Sequence, residues 1–561
     1  MVQLSRWWVT LVLLLSFTVH AATPQQQAVA SAHPIATHAG HLILDQGGNA
    51  FDAAIAVAAT LAVVEPAGSG IGGGGFFLLR QAGPAGHQYR FVDARETAPL
   101  AAERNLYHDA NDRPQRVING ALAAGIPGLP AALVHLAEQY GELPLSRSLA
   151  PAIAAAEEGF KVGERYRRLA GFRLEAMRAD PETARIFLQD NEPPEIGALL
   201  RQPDLAKTLR LLGSKGHAGF YAGPLAEKLI AGVQADQGIW QAEDLSSYRV
   251  IEREPIRFFS HGHEIISAPL PSAGGIALAG ILQGLEHLPR AELNSNQSTH
   301  NLVELMRRVY RDRAALLGDS DFVSVPVTLL ISPAYAQQLA AHIDPTQATP
   351  SDRLPAAPAF NEGTNTTHFS LLDREGNAVA ATLSVNLPFG AAFTVPGTGV
   401  LLNNEMDDFA ADPKGSNSYE LVAHEANVIA PGKRPLSSMT PTMLENTDQL
   451  ALLGTPGGSR IITMVALGAM QAIEGRPVSE WVSKPRFHHQ YLPDVIQIEA
   501  DAFSAEQKTE LQRIGHHFKP VGRQYGDMQA LLWDKRGGEV SAASDPRGEG
   551  LSLVKRPIKP D

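Results

Sequence analysis

The chain has 561 residues, 44% of them apolar and 19% charged, enough to bury a large core in several domains or one layered unit. Its 47 basic and 59 acidic residues leave a formal charge of −12 with no basic run, which argues against nucleic acid or an anionic membrane surface as a partner. It has no cysteine, so thiol nucleophiles, disulfides and thiolate metal sites are excluded together.

The first element in chain order is a targeting segment. Arg6 precedes an apolar run from Trp7 to Val19, and Val19-His20-Ala21 ahead of Ala22 sets small residues where a signal peptidase cuts. Residues 1–22 therefore read as a signal peptide on an exported protein, periplasmic or secreted, with an uncleaved membrane anchor as the alternative. No later run reaches the roughly 20 apolar residues of a spanning helix, so no membrane span is expected once the signal is removed.

Two helices follow over 33–46 and 49–64, split by Gly47-Gly48, the second so rich in alanine that it should be buried. Gly68-Ser69-Gly70-Ile71-Gly72-Gly73-Gly74-Gly75 then leads into a strand from Phe76 to Arg80. The glycines match a dinucleotide fingerprint literally, but that motif needs the order strand, glycines, helix, and here helix comes first. Close backbone packing is the better account. Tyr89 to Asp93 reads as the return strand, which sets Arg95 just past a strand end.

From Pro127 to about Tyr310 the periodicity is mostly helical and reads as scaffold. His261-Gly262-His263-Glu264 and His488-His489 offer ligand types, but neighbouring residues of a strand point to opposite faces and no companion cluster is visible, so no metal site is expected. Ala340 to Glu362 holds several prolines among alanines and polar residues, and reads as a mobile linker ahead of Asn365.

Thr366 to Leu372 and Ala378 to Val385 form a predicted hairpin around the turn Asp373-Arg374-Glu375-Gly376-Asn377. Loop length alone puts Thr366 opposite Ser384, Val385 or Asn386. A threonine hydroxyl attacks only when a base takes its proton, and cleavage of the Asn365-Thr366 bond would supply one, the new α-amine with an ordinary pKa of about 7.7 to 8.0. An ordinary strand threonine is the competing reading. Further on, a short strand at Val400 runs into Glu405, Asp407 and Asp408, which repel one another unless a cation sits among them. Residues 412–422 form a loop long enough for a lid and carry Tyr419. Gly457-Gly458 precede a helical run through Glu474, where two N–H groups can face a developing oxyanion.

Together Gly72 to Gly75, Arg95 to Pro99, Thr366 to Ser370, Asn403 to Phe409, Pro435 to Met439, Pro456 to Arg460 and Ser544 to Arg547 resemble the γ-glutamyltransferases (glutathione hydrolases), of the N-terminal-nucleophile hydrolase superfamily. The resemblance covers nearly the whole mature chain. It implies an α+β fold, a four-layer αββα sandwich, made as a proenzyme that cuts itself into a helix-rich large subunit, 23–365, and a small subunit, 366–561. It also implies roles. Thr366 matches the nucleophile, and Ser384 stands where most relatives have a threonine bonded to it. Gly457 and Gly458 match the oxyanion pair. Arg95, Ser437 and Ser438 match positions holding the substrate α-carboxylate, and Asn386, Glu405 and Asp408 those holding its α-ammonium; Tyr419 belongs to the lid.

A γ-glutamyl group carries both charges on one carbon, so a cationic fork facing carboxylates suits it. The implied substrates are glutathione and other γ-glutamyl compounds, with water, amino acids or dipeptides as acceptors and no cofactor or metal. The alternative is an acylase of the same superfamily acting on cephalosporin or glutaryl amides or on poly-γ-glutamate. A non-catalytic binding protein on the same fold is disfavoured by the intact nucleophile positions.

Overall fold

The computed structural model describes residues 23–84, 86–107, 113–355, 357, 365–410 and 425–556. The segment 1–22 assigned to the signal peptide lies outside these residues, and so does Tyr419. No described helix is long and apolar enough to cross a membrane.

Two antiparallel sheets make the centre. The first has seven strands in the spatial order Leu551–Lys555, Gln27–Ser31, Thr366–Leu372, Ala378–Ser384, Gly74–Gly83, Gly86–Ala94, Ile251–Arg253. The second has six, in the order Val540–Ser544, Gln529–Asp534, Gln449–Gly454, Thr442–Glu445, His263–Ser267, Ile256–Ser260. The two-residue period of a strand sorts the side chains of the first sheet into two cores. Phe77, Leu79, Phe369, Leu371, Val379 and Ala381 pack with the helices Pro34–Asp45 and Ala50–Val64. Phe76, Leu78, Phe91, Leu372, Ala378 and Ala380 pack with the second sheet, whose other face carries the helices Gly274–Glu286 and Arg460–Ile473. Helix, sheet, sheet, helix is the αββα sandwich. Every residue of Ala50–Val64 is buried, and its run of alanines lets it lie close against its neighbours. Asn49 and Asp52 close its N-terminus as a capping box.

The hairpin forms as the sequence pattern implies, with Thr366 opposite Ser384. Ser384 in turn pairs with Gly74, and Gly75 with Ala94. Thr366, Ser384 and Arg95 therefore gather at one end of four adjacent strands. The glycine run makes this approach possible. A Cβ on Gly72, Gly73, Gly74 or Gly75 would lie 2.1 to 2.6 Å from the carbonyl oxygens of Leu401, Ser384, Ala94 and Thr382.

The segment 127–310 is mostly helical as expected, and the strands Ile256–Ser260 and His263–Ser267 within it complete the second sheet. One expectation needs correction. The stretch read as a mobile linker is packed as far as Leu354: Thr349 N–H donates to Glu304, and Ser351 donates through its N–H to Asp494 and through its hydroxyl to the Tyr491 carbonyl. The connection itself runs mostly along the surface, anchored by the buried Ala348 and Ser351. Residues 358–364 lie outside the described range.

Candidate active site

Thr366 is the first residue of its strand and Ser384 the last of its neighbour. Alternation turns Thr366 toward the second sheet, on the same face as His368 and Ser370. His368 is no base for it: its Nδ1 meets Thr382 Oγ1 at 2.8 Å, its Nε2 meets Ser370 Oγ at 3.2 Å, and burial pushes its pKa down to about 3. Thr366 Oγ1 is buried with no hydrogen-bond partner among the described residues. In this uncut chain Ser384 Oγ does not bond it; Ser384 accepts from Asn386 N–H at 2.7 Å and faces Glu405. Asn386 has φ 72°, a left-handed turn that reverses the chain after the strand, and its Nδ2 donates to the Asn404 carbonyl at 2.9 Å. Ahead of Thr366, Asn365 N–H donates to the Asn386 carbonyl at 3.1 Å and its side chain donates to the Ala67 carbonyl. Asn365 is thus held through both its backbone and its side chain just before its peptide bond to Thr366.

Arg95 emerges where its strand ends and is 1% exposed. Its Nη1 donates to Glu405 Oε2 at 2.6 Å, its Nη2 to Asp408, and its Nε to the Pro435 carbonyl at 3.2 Å. Sequence reasoning sets Arg95 on one side of a substrate and Glu405 and Asp408 on the other; in the structure they join directly, since opposite charges facing one buried space pair with each other. Glu96 approaches Arg95 Nη1 at 3.7 Å, so three carboxyls share one guanidinium. Burial alone would depress Arg95, but Glu405, Asp408 and Glu96 raise it, and it stays charged. Burial pushes Glu405 well above the carboxylate range and Glu96 up to about 8, both against the pull of Arg95. Three ionised carboxylates around one cation are unfavourable, which is the physical reason both glutamates are raised.

The Pro435 carbonyl ties Arg95 to the loop that carries Ser437 and Ser438. Ser437 Oγ accepts from Met439 N–H at 3.1 Å, while Ser438 Oγ is buried without a hydrogen-bond partner among the described residues. Gly457 and Gly458 follow the strand Gln449–Gly454, with φ of 147° and 58°, and stand ahead of the helix Arg460–Ile473. A Cβ on Gly457 would meet Met464 Cε at 2.5 Å. Neither glycine N–H has an acceptor among the described residues, which leaves both free for an oxyanion.

A profile described as Gamma-glutamyltranspeptidase matches residues 36–554. The chain belongs to the gamma-glutamyltranspeptidase family. It is 40% identical over 554 residues to the glutathione hydrolase proenzyme of Pseudomonas aeruginosa, covering 97% of each chain. To the glutathione hydrolase proenzyme of Escherichia coli K12 it is 38% identical over 536 residues, covering 94% of this chain and 91% of that one. Among solved structures it is similar to the cephalosporin acylase from Bacillus halodurans, with TM-score 0.84 at 28% identity, covering 95% of this chain and 96% of that one.

Sequence reasoning missed two contributors to this gamma-glutamyltranspeptidase site. Glu96 is inside the Arg95 motif, but only the fold shows that its fully buried carboxyl, with neither oxygen hydrogen-bonded among the described residues, lies in the charged cluster. Asn404 positions Asn386 through its carbonyl and Leu387 N–H through its Oδ1 at 3.0 Å. The His261 to Glu264 stretch is a turn and strand whose groups bond elsewhere, Glu264 to Arg257 and His263 to Asn446 and Gln449. Among the described residues one trio has metal-ligand spacing, His300, Glu304 and His516. Arg307 and Arg308 already pair with Glu304, and His300 bonds His516 at 2.8 Å, so the positive charge a cation would bring is present in the two arginines.

Proposed function

We propose that the chain is a self-cleaving proenzyme in which Thr366 attacks the carbonyl carbon of Asn365, shifts the acyl group from its nitrogen to its oxygen, and is freed by hydrolysis of that ester. The freed α-amine then serves as base. The activity is that of the family, γ-glutamyl transfer and glutathione hydrolysis. Thr366 Oγ1 attacks the γ-carbonyl, the Gly457 and Gly458 N–H groups receive the oxyanion, and the α-amine passes the proton to the leaving amine. Water, or an amino acid or dipeptide acceptor, then takes the acyl group from the ester. In this reading 23–365 and 366–561 are the two subunits of the exported enzyme.

One observation carries the reading: buried polar atoms without hydrogen-bond partners among the described residues, Thr366 Oγ1, Ser438 Oγ, Glu405 Oε1 and Asp408 Oδ1, belong to residues gathered around one end of the first sheet. Native interiors leave few such atoms, and a zwitterionic γ-glutamyl group answers them. Its carboxylate would take Arg95 and Ser438, and its ammonium would take Glu405, Asp408 and Asn386. The word proenzyme in the names of the relatives supports the cleavage step. An acylase acting on cephalosporin or glutaryl amides is the second reading, favoured by the Bacillus halodurans structure, and the carboxylate oxygens without partners among the described residues argue against glutaryl amides, which bring no ammonium. Thr366→Ala tests the proposal. It should leave the precursor in one piece and release no product from a γ-glutamyl anilide, whereas cleavage or turnover in that variant would refute the assignment.

A further inference from the structure

A cavity of about 280 Å³ abuts the nucleophile on a side that shares no lining residue with the Arg95 cluster. Asn365, Pro456 and Gly457 form one wall, so it opens against the peptide to be cut and against one of the two oxyanion donors. Five of its other lining residues are arginines, Arg165, Arg168, Arg460, Arg523 and Arg547, and none is acidic.

Three of the five are neutralised or held by other groups. Arg165 Nε lies 3.2 Å from Glu65 and its Nη1 3.7 Å from Asp527. Arg547 pairs with Glu499 and Asp545. Arg460 donates to Gln497 Oε1 at 2.9 and 2.7 Å and stacks over Tyr525. Arg168 and Arg523 differ. Both are exposed, and neither has a hydrogen bond or ion pair among the described residues. Glu549 and Glu164 act on Arg168 from a distance, but burial and the like charges of Arg165 and Arg523 outweigh them and lower it.

An anion that enters this space meets two uncommitted guanidinium groups and relieves their repulsion. We propose that Arg168 and Arg523 bind the C-terminal carboxylate of the peptide that leaves or accepts the acyl group, a dipeptide-sized amine whose nitrogen lies at the Thr366 ester. This rests on the acyl-transfer reading above. In transfer the acceptor nitrogen forms a bond to the ester carbonyl carbon, the bond from that carbon to Thr366 Oγ1 breaks, and the proton lost by the nitrogen returns to Thr366. By microscopic reversibility the leaving amine occupies the same place, so one carboxylate site serves both.

The test uses the processed full-length protein, a γ-glutamyl p-nitroanilide as donor, and either glycylglycine or glycylglycine amide as acceptor. A charge-assisted pair at ~1.5 to 3 kcal/mol corresponds to a KM about ten- to a hundredfold lower for the free acid than for the amide in wild type. In Arg168→Gln/Arg523→Gln the KM for glycylglycine should rise toward that of the amide, while the KM for the amide stays in place. The anilide leaving group carries no carboxylate, so its hydrolysis without acceptor is the reference for folding and processing. Wild type that treats acid and amide alike, or a double variant that keeps the preference, overturns the site and leaves the parent reading standing. Wild type that releases no nitroaniline in water overturns both.

Discussion

Replacing Arg95 with alanine removes the one cation shared by Glu96, Glu405 and Asp408, a side chain 1% exposed. The three carboxyls lose the guanidinium they share, so the variant loses the proposed anchor for the substrate carboxylate and the partner that orders the proposed acceptors for its ammonium. Truncating one member of a buried hydrogen-bonded charge pair costs ~2 to 5 kcal/mol, much of it the penalty on the group left behind. Substrate binding here exchanges partners rather than creating a new pair, because Arg95 already holds Glu405 at 2.6 Å. The expected rise in KM for a γ-glutamyl anilide is therefore about one to three orders of magnitude. Arg95→Lys should recover only part of it, since a point charge cannot reach Glu405, Asp408 and the Pro435 carbonyl as the fork does. Initial rates over a wide substrate range give the value, with far-UV circular dichroism as a check on folding. A glutaryl anilide, which lacks the ammonium, is the control: wild type should reject it because Glu405 and Asp408 then face no cation. An unchanged KM in Arg95→Ala, or equal turnover of glutaryl and γ-glutamyl anilides by wild type, would refute the reasoning.

Two further outcomes follow from the same cluster. Ser384→Ala deprives the buried Asn386 N–H of its acceptor and should impair turnover markedly, whereas Ser384→Thr keeps the hydroxyl and should be tolerated; equal activity of Ser384→Ala and wild type would show that this hydroxyl positions nothing. Glu96 is raised from 4.5 to about 8, so its stabilising contribution is complete below about 4.5 and is lost as pH rises through about 8. The melting temperature should fall across that window more steeply in wild type than in Glu96→Gln, which stays neutral at every pH, and parallel curves would contradict the assignment.

The Thr366 hairpin was legible because turn chemistry and strand period act locally, and the structure resolved the remaining register question by pairing Thr366 with Ser384. The glycine run was legible for a similar reason: without a flanking strand and helix in the right order, only close packing explained it. What sequence could not supply was contact across the fold. Arg95 and Asp408 are separated by 313 positions yet bonded, and the sequence could assign each a charge but not pair them. The segment 340–354 shows the limit of composition, since its prolines suit a loose linker equally well until Glu304 and Asp494 are found holding it. Arg168 and Arg523 gave no signal at all, because two scattered exposed arginines look like any solvated pair until a cavity joins them.

Every role assigned to Thr366 depends on its becoming a chain terminus. A denaturing gel of the purified mature protein followed by N-terminal sequencing of its smaller band tests this most directly. Cleavage after Asn365 gives a small subunit of 561 − 365 = 196 residues whose sequence begins Thr-Thr-His-Phe. A single intact band with full activity would contradict the account.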